Sequence, residues 1–360
     1  MIVPFVDLAS RYRRYRKQFH SALDRAIDHG IAVLGPEVEE FEAALRARIG
    51  CRHAISVANG TDALVLSLRA MGVTEGEVIT TPMSYLASTS SIVLAGATPI
   101  FADVGPDLNL DPNSVAQAIN ENTKAILVVH LGGNPAKMDE LNRIARANNL
   151  IVIEDCAQAF GAEAGAAVGN LANVASVSFH PLKNLGAIGD AGAIFTNDDH
   201  VANFLCRARN HGHSSRDQCE FWSVNSRLDS IQAGFLLARL VDYSDFLAAR
   251  REQATRYRSG LNGVVRFPLI NLGARPSFNF MYIFADNRDE LRAHLARHGI
   301  DARVHYPLTI PQLRASRNLD AGKLPMADRY TSEILSLPLG EHLGNEQIDY
   351  VVETVRNYYR

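Results

Sequence analysis

The sequence predicts an α/β protein with a large domain, built on a mainly parallel sheet flanked by helices, and a smaller C-terminal α+β domain. Three observations lead there. The chain has 360 residues, enough for two hydrophobic cores. Short β-branched runs alternate with helical segments from residue 54 to about residue 196. Runs such as Ile126 to Val129 and Ile151 to Ile153 are apolar without alternation, the pattern of strands covered on both faces.

The elements follow in order. The first ~50 residues read as helical. Leu34-Gly35-Pro36 interrupts the period, which Val38, Phe41, Leu45 and Ile49 resume. The expected strands are Ala54 to Val57, Glu77 to Thr80, Thr98 to Phe101, Ala125 to Val129, Leu150 to Ile153, Ala175 to Phe179 and Ala193 to Thr196. Between them, helices are expected at Asp62 to Met71, Ser84 to Ala95, Ser114 to Asn120 and Met138 to Asn148. The pattern after ~200 is helical and ends in one long helix from about Ser230 to Arg258. A strand at Phe280 to Phe284 and helices at Asp289 to His298 and Asn345 to Tyr359 follow. The expected domains are residues 1–245 and 246–360.

Composition narrows the function. A formal net charge of -3 gives no electrostatic case for nucleic acid or for an anionic membrane surface. The basic cluster from Arg11 to Lys17 reads as the solvated face of a first helix. No apolar run reaches the ~18 residues of a membrane span. The start Met1 to Asp7 lacks a basic region followed by an apolar core, so a cytoplasmic protein is expected. Cys51, Cys156, Cys206 and Cys219 are scattered, which suggests reduced thiols. His211-Gly212-His213 has no carboxylate or Cys partner at ligand spacing, and no metal is expected.

Three segments carry chemistry, each expected where a parallel strand ends and ligands gather. The first contains Lys183. The chain has only 5 lysines against 31 arginines, and this one stands in a loop with Gly186, Gly189 and Gly192. Arg holds its proton, whereas a desolvated Lys can lose it and attack a carbonyl. Lys183 is therefore a Schiff-base candidate. The second, Asn59-Gly60-Thr61-Asp62, follows a strand and opens a helix, where backbone N–H groups favour a phosphate or a simple cap. The third, Glu154-Asp155-Cys156-Ala157-Gln158, puts carboxylates at a buried strand end. There they need a cation, donors or a salt bridge. An aldehyde cofactor with a phosphate and a ring nitrogen would use all three: the Lys for a Schiff base, the carboxylate for the ring nitrogen and the helix terminus for the phosphate. No GxxxxGK[ST] and no GxGxxG after a strand offers a nucleotide alternative.

The chain resembles the DegT/DnrJ/EryC1/StrS family of pyridoxal-phosphate-dependent sugar aminotransferases, which have the type I aminotransferase fold. The resemblance runs from Pro4-Phe5-Val6-Asp7-Leu8 through Asn59 to Leu64, Pro82 to Ala87 and Glu154 to Gln158. It continues through the Lys183 loop, Asn225 to Asp229, Val304-His305-Tyr306-Pro307 and Leu335-Ser336-Leu337-Pro338. It implies pyridoxal 5′-phosphate held as an internal aldimine on Lys183. Asp155 would face the pyridine nitrogen, Gln158 the phenolic oxygen, and the Tyr85 ring would stack on the cofactor. Gly60, Thr61 and Ser178 would hold the phosphate, while Asn225 would reach the phosphate of the neighbouring subunit in a homodimer with shared active sites. His305 and Tyr306 would face the substrate. The implied reaction moves an amino group from an amino acid, glutamate by family habit, to a keto group of a nucleotide-linked deoxysugar. Alternatives are a keto-cyclitol acceptor and a non-catalytic pyridoxal-phosphate-binding regulatory protein. Leu131-Gly132-Gly133-Asn134-Pro135 replaces the family's more frequent His-Leu-Tyr-Gly-Gln-Pro continuation, and Gly161 to Asn173 is short. Both departures leave the sugar open.

Overall fold

The computed structural model describes residues 1–360. Its centre is a seven-stranded sheet of β1 (His53–Val57), β2 (Glu77–Thr80), β3 (Thr98–Phe101), β4 (Thr123–Val129), β5 (Ile151–Asp155), β6 (Val174–Ser178) and β7 (Gly192–Thr196). The order is β1-β7-β6-β5-β4-β2-β3. The pairs from β6 through β5, β4 and β2 to β3 are parallel, and β7 runs antiparallel to both β6 and β1. All seven expected strands are present, with ends moved by a residue or two.

Successive residues of these strands enter different cores, which is why the sequence shows no alternation. Ala125, Leu127 and Val129 enter one core, together with Ile55, Leu64 and Ile92. Ile126 and Val128 enter another, with Leu141 and Val152. Toward the β7 edge, Ala175, Val177 and Phe195 join Phe41, Leu45 and Leu236 in a third.

Helices α1 (Leu8–Arg14), α2 (Arg16–His29) and α3 (Pro36–Ile49) precede the sheet. Between its strands run α4 (Gly60–Ala70), α5 (Ala87–Ala95), α6 (Pro112–Ala118) and α7 (Met138–Ala147). The helix α8 (Asp199–Ala208) follows β7. Pro112 at the first turn and the Asp111 side chain, which accepts from Ser114 N, start α6.

The long helix expected from Ser230 to Arg258 is two helices, α9 (Ser230–Leu240) and α10 (Tyr243–Gly260). The break has a tertiary cause. Asp242 accepts from the Tyr15 hydroxyl at 2.7 Å and from Arg14 at 2.8 Å, and its backbone leaves the helical region there. A hairpin of His213–Ser215 and Gln218–Cys219, in a stretch read as helical, is a second departure.

The C-terminal part contains α11 (Arg288–Arg297), α12 (Pro325–Glu333), α13 (Asn345–Tyr358) and an antiparallel pair, β8 (Met281–Phe284) and β9 (Ile334–Leu337). Its core is Tyr257, Met281, Ile283, Leu291, Leu335, Leu337 and Val351, and the fully buried Val3 joins it. Val3 pairs with Ile300 through Val3 N to Gly299 O and Asp301 N to Val3 O.

Candidate active site

A cavity of about 610 Å³ opens where β4, β5 and β6 end. Its lining holds nine of the ten residues singled out in the sequence: Gly60, Thr61, Tyr85, Asp155, Gln158, Ser178, Lys183, His305 and Tyr306. Asp155 and Ser178 are the last residues of β5 and β6, Gly60 and Thr61 open α4, and Tyr85 lies in the turn before α5. His305 and Tyr306 come from the segment between α11 and α12. The tenth, Asn225, does not line the cavity; it is exposed and bridges to Asn210.

Asp155 is 4% exposed, so its charge needs partners. Ser88 Oγ donates to its Oδ2 at 2.7 Å and Ala157 N to its Oδ1 at 3.0 Å. Ser84 Oγ lies 2.8 Å from Ser88 Oγ and extends the chain of hydroxyls. Lys183 is the cation in reach. Burial pushes its pKa down, and the attraction of Asp155 works against that shift.

The loop that carries Lys183 is held by its carbonyls. Phe179 N donates to Ala191 O, and Ala187 N returns to Phe179 O, both at 2.8 Å. From α1, Arg11 Nη1 donates to Pro181 O at 2.6 Å and to Lys183 O at 3.5 Å. From α9, Arg239 donates to Gly186 O at 2.9 Å and to Asn184 O at 3.1 Å. Glu341 pairs with Arg11 and lies 3.8 Å from Arg239, so one carboxylate serves both guanidinium groups. Asn184 Nδ2 donates to Ser277 O, tying the loop to the start of the C-terminal part.

Where α4 meets the cavity, Asn59 Oδ1 caps the helix by accepting from Asp62 N at 2.8 Å. The amides of Gly60 and Thr61, in the first turn, have no acceptor inside the helix. Gly60 is required by space: a Cβ there would stand 2.6 Å from Ser178 Cβ. Gln158 is fixed at both ends of its amide. Its Oε1 accepts from Gly132 N at 2.7 Å and its Nε2 donates to the Tyr306 hydroxyl at 3.3 Å. Gly132 has φ 64° and a Cβ there would strike the Tyr282 ring, so this departure from the family pattern also has a steric reason.

Several lining residues escaped the sequence reading. Ser84, Ser88, His180, Asp190, Asn279 and Phe280 all face the cavity. His180 lies three residues before Lys183, and Leu182 N donates to its Nδ1 at 3.2 Å. Burial first, and the nearby Lys183 further, lower its pKa while Asp190 raises it. Proximity to Lys183 was the available signal for His180 and Asp190. No signal existed for Ser88, because its value lies in a contact 67 positions away.

The residues suit a flat, phosphate-bearing pyridine aldehyde. A desolvated amine, a buried carboxylate with spare lone pairs and a helix terminus with free amides share one cavity. A different cluster, His130, Glu154 and Cys156, has the ligand types of a metal site. Its atoms are already committed. His130 Nδ1 accepts from Ala136 N, and Glu154 accepts from His130 Nε2, Gly169 N and Leu171 N. No helix is long and apolar enough to cross a membrane.

Comparison with known proteins gives a consistent result. The profile of the DegT/DnrJ/EryC1/StrS aminotransferase family matches residues 13–356. The dTDP-3-amino-3,4,6-trideoxy-alpha-D-glucose transaminase of Streptomyces venezuelae is 39% identical over 363 residues, covering 99% of this chain and 96% of that protein. The crystal structure of S. venezuelae DesV in complex with a ketimine intermediate superposes with a TM-score of 0.97 at 38% identity, covering 100% of this chain and 99% of that one. NtdA from Bacillus subtilis, solved with bound cofactor PMP, gives a TM-score of 0.92 at 28% identity, covering 99% of this chain and 85% of that one.

Proposed function

The chain belongs to the DegT/DnrJ/EryC1/StrS aminotransferase family, and from that premise we propose that it transfers an amino group from an amino acid, glutamate in our reading, to a keto group of a nucleotide-linked deoxysugar, with pyridoxal 5′-phosphate as cofactor. The observation that carries this reading is the meeting of Lys183, Asp155, Ser178 and the α4 N-terminus in one cavity. The S. venezuelae transaminase supports the substrate class and the NtdA complex supports the cofactor.

When bound, the cofactor's ring supplies a sink for the electron pair left when a proton leaves the carbon beside the transferred nitrogen. The chain's residues do the rest. The amides of Gly60 and Thr61 and the Ser178 hydroxyl bind the phosphate. Asp155, steadied by Ser88 and the Ala157 amide, favours a proton on the facing ring nitrogen. Gln158, locked by Gly132 and Tyr306, orients the ring edge that carries the phenolic oxygen, and Tyr85 covers its face. Lys183 Nζ, with its pKa lowered, is the nucleophile that holds the cofactor and then the base and acid that moves the proton. His305 and Tyr306 face the sugar.

The same proposal includes a homodimer in which Asn225 completes the neighbour's phosphate site. Its exposure and its position outside its own cavity support this. It also includes a division near residue 245 into a cofactor-binding and a smaller domain, supported by the separate core of the C-terminal part. The expected location is the cytoplasm.

Purified protein with the cofactor is expected to absorb in the visible, with a band that shifts on adding glutamate. Lys183→Ala is expected to lose the shift and all turnover. Activity should be found with a keto-sugar nucleotide in a panel that also contains keto-inositols. Full turnover by Lys183→Ala, or turnover of keto-inositols alone, would overturn the reading.

A further inference from the structure

His305 sits in the cavity wall beside two aromatic rings and one hydroxyl. Its ring stacks on Phe280 at 4.1 Å between centroids and 16° between planes, and Phe5 lies 5.4 Å away. Its Nδ1 is 2.9 Å from Ser336 Oγ. Ser336 belongs to β9 and is fully buried. Its backbone is committed, with Ser336 N donating to Arg303 O at 2.7 Å and Arg303 N to Ser336 O at 3.0 Å.

These contacts fix the direction of the hydrogen bond. The Ser336 hydroxyl carries one proton, and His305 Nδ1 is the side chain's hydrogen-bond partner. A buried O–H left without an acceptor costs its full desolvation penalty. If Nδ1 carried a proton, it would donate to Oγ and strand the hydroxyl proton. If the hydroxyl donates instead, both groups are satisfied and the ring's single proton is on Nε2. A doubly protonated ring is disfavoured too. Burial first, then Arg303 and Lys183, push the His305 pKa down to about 4. Nε2 makes no hydrogen bond within the chain, and His305 lines this cavity as well as a neighbouring one beside Arg292 and Arg303.

We propose that Ser336 is a positioning residue that holds His305 as the uncharged Nε2–H tautomer, so that the cavity presents a fixed neutral hydrogen-bond donor to an oxygen of the keto-sugar substrate. This rests on the aminotransferase reading above for the identity of the ligand and on the contacts of Ser336 for the tautomer. A neutral donor suits a hydroxyl or carbonyl oxygen. It gains little charge pairing from a carboxylate or phosphate, so it favours the sugar ring over the donor's acid group.

Two measurements test it separately. Nitrogen-15 NMR of histidine-labelled holoenzyme, with the His305 signals assigned by their loss in His305→Gln, reads the tautomer directly. The expected result is a bare Nδ1 and a protonated Nε2, unchanged from pH 6 to 8, with a second tautomer emerging in Ser336→Ala. Half-reaction kinetics read the role. Ser336→Ala is expected to lower kcat/KM for the sugar by about 3- to 10-fold and to leave the glutamate half-reaction unchanged. Gln places an amide N–H near the position of Nε2 and Asn does not, so His305→Gln should retain more sugar-half activity than His305→Asn. A protonated Nδ1 in the native protein, or equal rescue by Asn and Gln, would overturn the proposal. The expected tautomer in a protein that turns over no keto-sugar nucleotide would refute the substrate reading and leave the tautomer standing.

Discussion

At the scale of the residue, the site works by placing ionisable groups where water cannot restore their ordinary behaviour. His305 shows how this bears on stability. Its pKa is about 4 in the folded chain against 6.5 when solvated, so the unfolded chain binds more protons between those values. The contribution of neutral His305 is therefore full above pH 6.5 and is lost as pH falls toward 4. It amounts to on the order of 3 kcal/mol. Urea titrations from pH 7 to 4.5 should show a steeper loss of stability for the native chain than for His305→Gln. Equal slopes would mean that the ring is hydrated and titrates normally. Lys183 and the Glu154-Asp155 pair could be singled out in the sequence because each is an anomaly of type and place, a rare lysine among glycines and carboxylates at the end of an apolar run, while the family resemblance chose Asp155 of the two. Ser88 and Ser336 could not. A serine acquires its meaning from what it touches, and both touch residues far away in the chain.

At the scale of the element, the apolar runs could be read because strands buried on both faces leave a mark that local sequence carries. The split between α9 and α10 could not be read, because Tyr15 and Arg14 capture Asp242 from more than 200 positions away. The turn from β1 into α4 is tightly constrained. Gly60 has no room for a side chain against Ser178, although its backbone is ordinary for any residue. Gly60→Ala is therefore expected to push the α4 N-terminus off the proposed phosphate position and to raise the dissociation constant for pyridoxal phosphate by roughly 5- to 150-fold, since overpacking costs ~1–3 kcal/mol. Equilibrium dialysis or absorbance titration measures this. The fold itself should survive, because the Asn59 cap and the apolar face of α4 are untouched.

At the scale of the whole molecule, the proposed sharing of sites between two subunits makes a prediction that no single-chain defect can imitate. Asn225→Ala and Lys183→Ala are each expected to be impaired as homodimers. When the two are unfolded together and refolded as mixed dimers, one site in each hybrid would combine an intact Lys183 with an intact Asn225 from its partner. Activity should return on mixing, and its absence would place Asn225 outside the neighbour's site. The Lys183 loop has its own whole-molecule dependence. Arg11 comes from the start of the chain, Arg239 from its middle and Glu341 from near its end. The turn that carries the lysine is therefore set only where three distant stretches of the chain meet, and removing the shared carboxylate would leave two buried guanidinium groups unpaired, unfavourable by roughly 3–5 kcal/mol.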